Sequence, residues 1–241
     1  MRAPLRWVLW DVKDTLLRVR TSVGEQYSQE AGRMGLKLSP AEVQAAFQQA
    51  YGHYSSTYPN YGISQGMSGR SWWISLVQDT FSRCGVQDPV LIDTMAQNLY
   101  RNFCSAETWE IFPDTRRSLE RCSSLGLNLG VVSNFDIRLK EILHVCGLLS
   151  HFSFLITSEE AGAAKPSPTI FHQALQRCGV PAAMVAHVGD HYANDYLASR
   201  AVGIRGILLD RLNKAAWLDV PRQHRISSLD ELPSRLQECM D

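Results

Sequence analysis

Four short clusters carry the side chains able to do chemistry. Asp11 is followed by Lys13, Asp14 and Thr15. Ser133-Asn134 comes next, then Lys165-Pro166, and last Gly189-Asp190 with Asn194 and Asp195. Three of them sit at the end of an apolar run, and Lys165-Pro166 a short stretch beyond one. Ligands in open α/β sheets bind outside the carboxyl ends of the strands. Strands in these places would bring carboxylates, a hydroxyl, an amide and an ammonium to one rim. A single Asp after a strand is more often a turn or a helix cap, but four polar clusters in this order make chance a poor explanation. The set suits phosphoryl or acyl transfer through an aspartate. A carboxylate can attack phosphorus and form a covalent intermediate. Hard oxygen ligands suit Mg²⁺, which uses one or two carboxylates and keeps waters. Ser133 and Lys165 can neutralise the non-bridging oxygens of a transferring group.

The elements that must position these residues are legible around them. Trp7 to Trp10 reads as a first strand, and helical patterns then dominate to about residue 105. Ser39-Pro40-Ala41-Glu42 has the form of a capping box with Pro at the first helical position. Asp88-Pro89 opens another helix, with Leu91, Met95, Leu99 and Phe103 on one face. Trp72, Trp73, Leu76, Val77 and Phe81 fit a third. Tyr51 to Ser71, rich in Tyr, Ser and Gly, reads as a long loop. From about residue 110 strands and helices alternate. A helix capped by Asp114 stops near Gly126. Strands follow at 127–132, 154–156, 185–188 and 204–209, with helices between them at 137–146, 167–178 and from 190 to about 201. Ser228 and Glu231 form a box for a last helix. Such alternation implies a parallel sheet flanked by helices. The expectation is an α/β protein with a Rossmann-like core of residues 1–17 and 110–241, and an inserted all-helical cap of residues 18–109.

The motifs Asp11-Val12-Lys13-Asp14-Thr15-Leu16, Val131-Val132-Ser133-Asn134, Lys165-Pro166-Ser167-Pro168 and Gly189-Asp190-His191-Tyr192-Ala193-Asn194-Asp195 resemble, in order and type, those of the haloacid dehalogenase-like hydrolase superfamily. The helical insertion resembles its C1 cap. The resemblance implies Asp11 as nucleophile, and Mg²⁺ held by Asp11, Asp190 and the backbone carbonyl of Lys13, with Asp195 in support. It implies that Ser133 and Lys165 bind phosphate, with Thr15 and Asn134 as lesser members of the substrate site.

One position departs. Phosphatase members carry Asp two residues after the nucleophile, as general acid and base; here that residue is Lys13. Lysine has a reference pKa near ~10.4, and neighbouring carboxylates keep it protonated. It is poorly matched to take a proton from water at neutral pH, and losing a general acid/base costs ~10²–10⁴ in rate. Either Lys13 points away, or it stands in for the metal through an ion pair with Asp11. The superfamily's haloalkanoate dehalogenases also lack the second Asp and need no metal, but they normally lack the Gly-Asp kept here as Gly189-Asp190. Two readings stay open: a phosphatase-like hydrolase of a small phosphorylated molecule, or a weakly active or inactive relative serving as a binding or regulatory protein. A dehalogenase is third.

Composition limits the partners. The 241 residues carry 24 Lys+Arg against 24 Asp+Glu, a formal net charge of zero, which gives no reason to expect nucleic acid or a membrane surface. Leu5 to Trp10 is interrupted by Arg6 and too short for a signal segment, and no later run approaches a membrane span. The six cysteines (Cys84, Cys104, Cys122, Cys146, Cys178 and Cys239) form no CxxC and read as reduced intracellular thiols. The expectation is an intracellular monomer, cytoplasmic, with nucleus or mitochondrion left open. His187 and His191 do not share a helix face and are not read as a zinc pair. Trp72-Trp73 reads as cap core. Tyr51, Tyr54, Tyr58 and Tyr61 either line a cleft or anchor a loop.

Overall fold

The computed structural model describes residues 4–213 and 219–237; Cys239 lies outside them. In chain order the elements are β1 (Trp7–Trp10), β2 (Leu17–Val19), α1 (Val23–Arg33), α2 (Pro40–Thr57), α3 (Gly69–Arg83), α4 (Pro89–Asn102), β3 (Trp109–Ile111), α5 (Thr115–Ser124) and β4 (Asn128–Ser133). There follow α6 (Leu139–Val145), β5 (Phe154–Thr157), α7 (Ser158–Ala161), α8 (Pro168–Cys178), β6 (Val185–Gly189), a π turn over Tyr192–Leu197 running into α9 (Ala198–Ala201), β7 (Arg205–Leu209), β8 (Arg225–Ile226) and α10 (Leu232–Gln237).

The Trp7–Trp10 run has no charge and is rich in strand formers. Val8, Leu9 and Trp10 are fully buried, as a strand covered on both faces must be. The six-stranded sheet has the order β5-β4-β1-β6-β7-β8, and its paired strands run parallel. In this register Trp10 lies opposite Val131 on one side and Val188 on the other. The ends of β4, β1 and β6 therefore stand side by side and present Ser133, Asp11 and Gly189-Asp190 together. Ile170, Phe171 and Ala174 of α8 pack with Leu9, Val132, Ile156 and Val185; each large apolar side chain buried there contributes about 1.5–3 kcal/mol. Pro168 starts α8 behind Ser167, whose hydroxyl accepts the Thr169 N–H. Gly179 ends it in the left-handed region (φ 65°), where a side chain would be strained. β2 and β3 form a separate two-stranded sheet.

The chain divides into two compact units, Met1–Arg18, Ile111–Phe135 and Cys146–Asp241 in one, Val19–Glu110 and Asp136–Val145 in the other. Residues 136–145 thus group with the helical unit, whereas the alternation of strands and helices places them with the sheet. The helical unit packs Tyr27, Ala31, Val43, Val77, Phe81, Met95 and Leu99 into one cluster. Asp88 caps α4 by accepting the Val90 and Leu91 N–H groups at 2.9 and 3.1 Å.

Three local expectations are corrected. Residues 51–71 are no loop: α2 continues to Thr57, and a 3₁₀ turn spans Asn60–Gln65. Tyr51, Tyr54, Tyr61 and Trp73 all pack around the Trp72 ring, at 5.9, 5.8, 5.5 and 4.9 Å between centroids. Tyr58 joins through Tyr54 at 5.7 Å. Tyr54, Tyr58 and Tyr61 are half-buried against the core of Ala50, Trp72 and Leu76, and Tyr51 meets it from an exposed position. Ser39 precedes α2 without a side-chain cap; the boxes form instead at Ser22/Glu25 and Ser68/Ser71. Asp114 does not cap α5, because its carboxylate accepts from Arg211, Ser228 and the Leu229 N–H.

Candidate active site

The Asp11 N–H donates to the Val188 carbonyl (3.0 Å), carrying the β1–β6 ladder one residue past the strand. The chain then makes a single turn, with Leu16 N–H on the Val12 carbonyl at 2.8 Å and Asp14 N–H on the Leu17 carbonyl at 2.7 Å. Asp14 is left-handed there, at φ 64°. The turn folds the fully buried Thr15 against the end of β6. The Thr15 hydroxyl accepts the Asp190 N–H at 3.2 Å and lies 3.2 Å from Asp190 Oδ1 and 3.4 Å from Asp11 Oδ2. One hydroxyl proton serves one of those carboxylates at a time.

Asp11 Oδ1 accepts from Lys165 Nζ at 2.7 Å and from Ser133 Oγ at 3.0 Å. Lys165 Nζ also donates to Asp195 Oδ1 at 2.6 Å and the Val132 carbonyl at 2.9 Å, so an ammonium with three protons meets three acceptors. The Asn134 amide holds the Lys165 backbone from both sides: its Oδ1 accepts the Lys165 N–H at 2.7 Å and its Nδ2 donates to the Lys165 carbonyl at 2.8 Å. Asp195 accepts from Lys165 and His187 Nε2 (3.0 Å) on Oδ1, and from the His191 N–H (3.0 Å) on Oδ2. A Cβ at Gly189 would stand 2.3 Å from Asp195 Cγ; the carboxylate can lie there because that residue has none.

Burial is the largest single influence on Asp11, Lys165, His187, Asp190 and Asp195. It raises the Asp11 carboxyl above the ordinary range, against the pull of Lys165. It pushes Asp190 up to about 7, helped by Asp11, Asp195 and Asp14. At Asp195 burial is outweighed by the Lys165 ammonium and the His187 hydrogen bond, which hold its carboxyl below the usual range. At Lys165 burial opposes the charge, but Asp11 and Asp195 win and raise its pKa. Burial lowers His187 despite Asp195, which favours a neutral ring that donates its Nε2–H to Asp195 Oδ1. Its Nδ1 has no hydrogen-bond partner among the described residues.

One oxygen each from Asp11, Asp190 and Asp195 lie within 4.8 Å of one another. Two of these carboxylates, Asp11 and Asp195, share the Lys165 ammonium; Asp190 has no such cation, and burial together with its acidic neighbours resists its ionisation. A hard divalent cation fits that donor set. Lys13 Nζ lies 2.6 Å from Asp14 Oδ2, on a side chain 52% exposed. His191 Nδ1 accepts the Asn194 N–H at 3.2 Å, which occupies it as a cap. The sequence motifs bring together Asp11, Thr15, Ser133, Asn134, Lys165, Asp190 and Asp195. They leave His187 as core or supporting only, and they miss Arg211, which donates to the Thr15 carbonyl at 2.9 Å.

A family model described as haloacid dehalogenase-like hydrolase matches residues 5–203. A Danio rerio protein, haloacid dehalogenase-like hydrolase domain-containing protein 3, is 60% identical over 242 residues and covers all of both chains. The chain belongs to the haloacid dehalogenase-like hydrolase family. Among solved structures, this hydrolase resembles a 2-haloacid dehalogenase from Pseudomonas syringae pv. Tomato DC3000 (TM-score 0.70, 23% identity, 97% of this chain and 99% of that one). It also resembles a HAD phosphatase from Thermococcus onnurineus (TM-score 0.68, 22% identity, 96% and 98%). At that identity the likeness is one of fold. Among the described residues of this family member, no helix is long and apolar enough to cross a membrane.

Proposed function

We propose that this hydrolase cleaves a small phosphomonoester through an aspartyl-phosphate on Asp11, and does so slowly. The observation that carries the reading is the convergence of Asp11, Asp190 and Asp195 oxygens within 4.8 Å, a donor set that a metal-free dehalogenase does not need. Asp11 Oδ1 is engaged by Ser133 and Lys165, which leaves Oδ2 to attack phosphorus. The Asp11 O–P bond forms, the ester P–O bond breaks, and the leaving oxygen takes a proton from solvent. Water then attacks phosphorus, frees the Asp11 carboxylate and gives inorganic phosphate. Ser133 and Lys165 supply the donors for the phosphoryl oxygens. Asn134 keeps Lys165 in place, and Thr15 does the same for Asp190. Asp11, Asp190 and the Lys13 carbonyl, supported by Asp195, would hold Mg²⁺, whose charge would offset that of the phosphoryl group.

Slowness follows from Lys13: an exposed ammonium at the acid/base position gives neither a proton acceptor for water nor a carboxyl donor for the leaving group. The same observation favours the second reading, a binding or regulatory protein with a weak or silent site. Residence inside the cell as a monomer, with the helical insertion as a C1 cap, completes the proposal; the free cysteines among the described residues support the cell interior, and helices α1 to α4, inserted between β1 and α5, support the cap. The test is a panel of phosphomonoesters with and without Mg²⁺, with Asp11→Asn as control and halide release from 2-haloacids in parallel. Slow, Mg²⁺-dependent phosphate release lost in Asp11→Asn supports the first reading. Ligand-induced thermal stabilisation with no turnover supports the second, and halide release overturns both.

A further inference from the structure

We propose that Arg211 is a positioning residue for the Asp11–Asp190 pair and acts through Thr15. The inference rests on the reading of that pair as the reactive centre, and it begins from a side chain no motif includes. Arg211 follows β7 and sends its guanidinium three ways. Nη1 donates to Asp114 Oδ2 at 2.9 Å, Nη2 to Asp114 Oδ1 at 3.0 Å, and Nη2 again to the Thr15 carbonyl at 2.9 Å. The guanidinium lies 3.9 Å from the centroid of the Phe112 ring. Asp114 is itself fixed, accepting from Ser228 Oγ at 2.7 Å and the Leu229 N–H at 2.9 Å. The Thr15 backbone is thereby tied to the segment before α5, the segment after β7 and the segment before α10.

That tie matters because of what Thr15 does next. Its hydroxyl accepts the Asp190 N–H and lies within reach of one oxygen each of Asp190 and Asp11. A β-branched side chain has few rotamers, so where the Thr15 backbone goes, its hydroxyl goes. The residue before it, Asp14, sits at φ 64°, a conformation that costs a non-glycine residue energy and persists only where the surroundings impose it. The Arg211 bond to the next carbonyl is one such constraint. The planar fork of arginine fits this place. It grips a carboxylate with two parallel bonds and keeps a direction for a third acceptor, which a lysine ammonium does not reproduce. A cavity of about 390 Å³ lined by Asp14, Arg18, Phe112, Asp190, Asp210 and Arg211, among others, gives water access to the groups that loss of Arg211 would free. Removing the guanidinium should therefore loosen the Thr15 turn rather than unfold the sheet.

The test is amide hydrogen exchange by NMR on the full chain, wild type against Arg211→Gln and Asp114→Asn, with no metal added. The Asp190 N–H is protected by one hydrogen bond, to the Thr15 hydroxyl, so loosening it should accelerate Asp190 amide exchange by roughly fivefold or more, the fold-change of one net hydrogen bond. The Val131 and Val132 amides of β4 should accelerate less, by no more than the fall in global stability read from urea unfolding at the same pH accounts for. Arg117→Gln, which removes only an exposed pair with Asp230, should change neither. Should Arg211→Gln fail to fold, Arg211→Lys decides, with an expected acceleration between wild type and Asp114→Asn. Asp190 exchange within twofold of wild type in the folded variants overturns the proposal. A second arm titrates Mg²⁺ calorimetrically, where the variants should bind roughly tenfold or more weaker. If wild type binds no Mg²⁺ and turns over no ester, the phosphatase reading fails by itself, and the exchange arm still decides the role of Arg211.

Discussion

Replacing Gly189 by Ala is the sharpest structural perturbation of the site. The new Cβ would meet Asp195 Cγ at 2.3 Å, Oδ2 at 2.4 Å and Cβ at 2.7 Å. Carbon atoms pack at about 3.5–4 Å, so the carboxylate must retreat by roughly 1 Å or more. From their present 2.6 and 3.0 Å, the bonds to Lys165 and His187 would then pass beyond useful hydrogen-bond length. Two costs compete. Keeping Asp195 in place overpacks the strand end, at about 1–3 kcal/mol with distortion beyond what a single methyl usually forces. Letting it move leaves buried Lys165 short of a carboxylate, and breaking such a pair costs about 3–5 kcal/mol. The expected loss is about 3–5 kcal/mol, or a fall in melting temperature of roughly 6–20 °C for a chain of this size. The control is Gly52→Ala, in the exposed face of α2 with nothing within 4 Å of the added methyl, which should gain up to about 1 kcal/mol from helix propensity. Thermal and urea unfolding of the three proteins, read by circular dichroism, make the comparison. Gly189→Ala within about 1 kcal/mol of wild type would refute the claim that Asp195 is held against a bare backbone.

Three further outcomes are expected. Lys13→Asp should raise turnover of phosphomonoesters by up to ~10²–10⁴, because it supplies a proton carrier two residues after Asp11; steady-state rates against Asp11→Asn read this, and no gain beside an already efficient wild type contradicts it. The Asp114 carboxyl, which burial would raise, is held below its ordinary value by hydrogen bonds from Arg211, Ser228 and the Leu229 N–H. A depressed carboxyl adds stability that is whole above the unfolded pKa, near ~3.9, and is lost as pH falls through the lower folded value. Urea midpoints should therefore separate wild type from Asp114→Asn at pH 6, and the gap should narrow as pH falls below the unfolded value of ~3.9. Burial pushes the Cys122 and Cys178 thiols up to about 12, so both should resist a thiol-specific reagent at pH 8 until the protein is unfolded.

Much of this molecule is readable from residues near one another in sequence. Strand β1, the Asp88-Pro89 start of α4, the Ser228/Glu231 box and the Gly179 stop of α8 are local signals, and each stands where its residues put it. Three of the four site clusters are legible because each is a strand end with polar residues attached, and Lys165-Pro166 because it stands out between α7 and α8. What escapes depends on distance along the chain. Arg211 and Asp114 are 97 residues apart, and Trp73 and Asp136 are 63 apart, so no window contains both partners. The Asp136–Arg138 pair is buried, with Arg138 over the Tyr100 ring at 4.1 Å, yet its sequence reads as an ordinary helix approach. Asp114 shows the converse error: a residue with the right type for a cap is claimed by stronger donors from elsewhere. The short strand β8 and the turn of α7 carry too few residues for any periodicity to show.

The central claim is that Asp11 carries the phosphoryl group. The direct measurement is a brief incubation of wild type with a phosphoryl-labelled ester from the substrate panel in millimolar Mg²⁺, quenched in acid and mapped by peptide. The account predicts label on the peptide containing Asp11, chased to inorganic phosphate, and none in Asp11→Asn. Turnover that persists in Asp11→Asn, or label that maps to another residue, would contradict it.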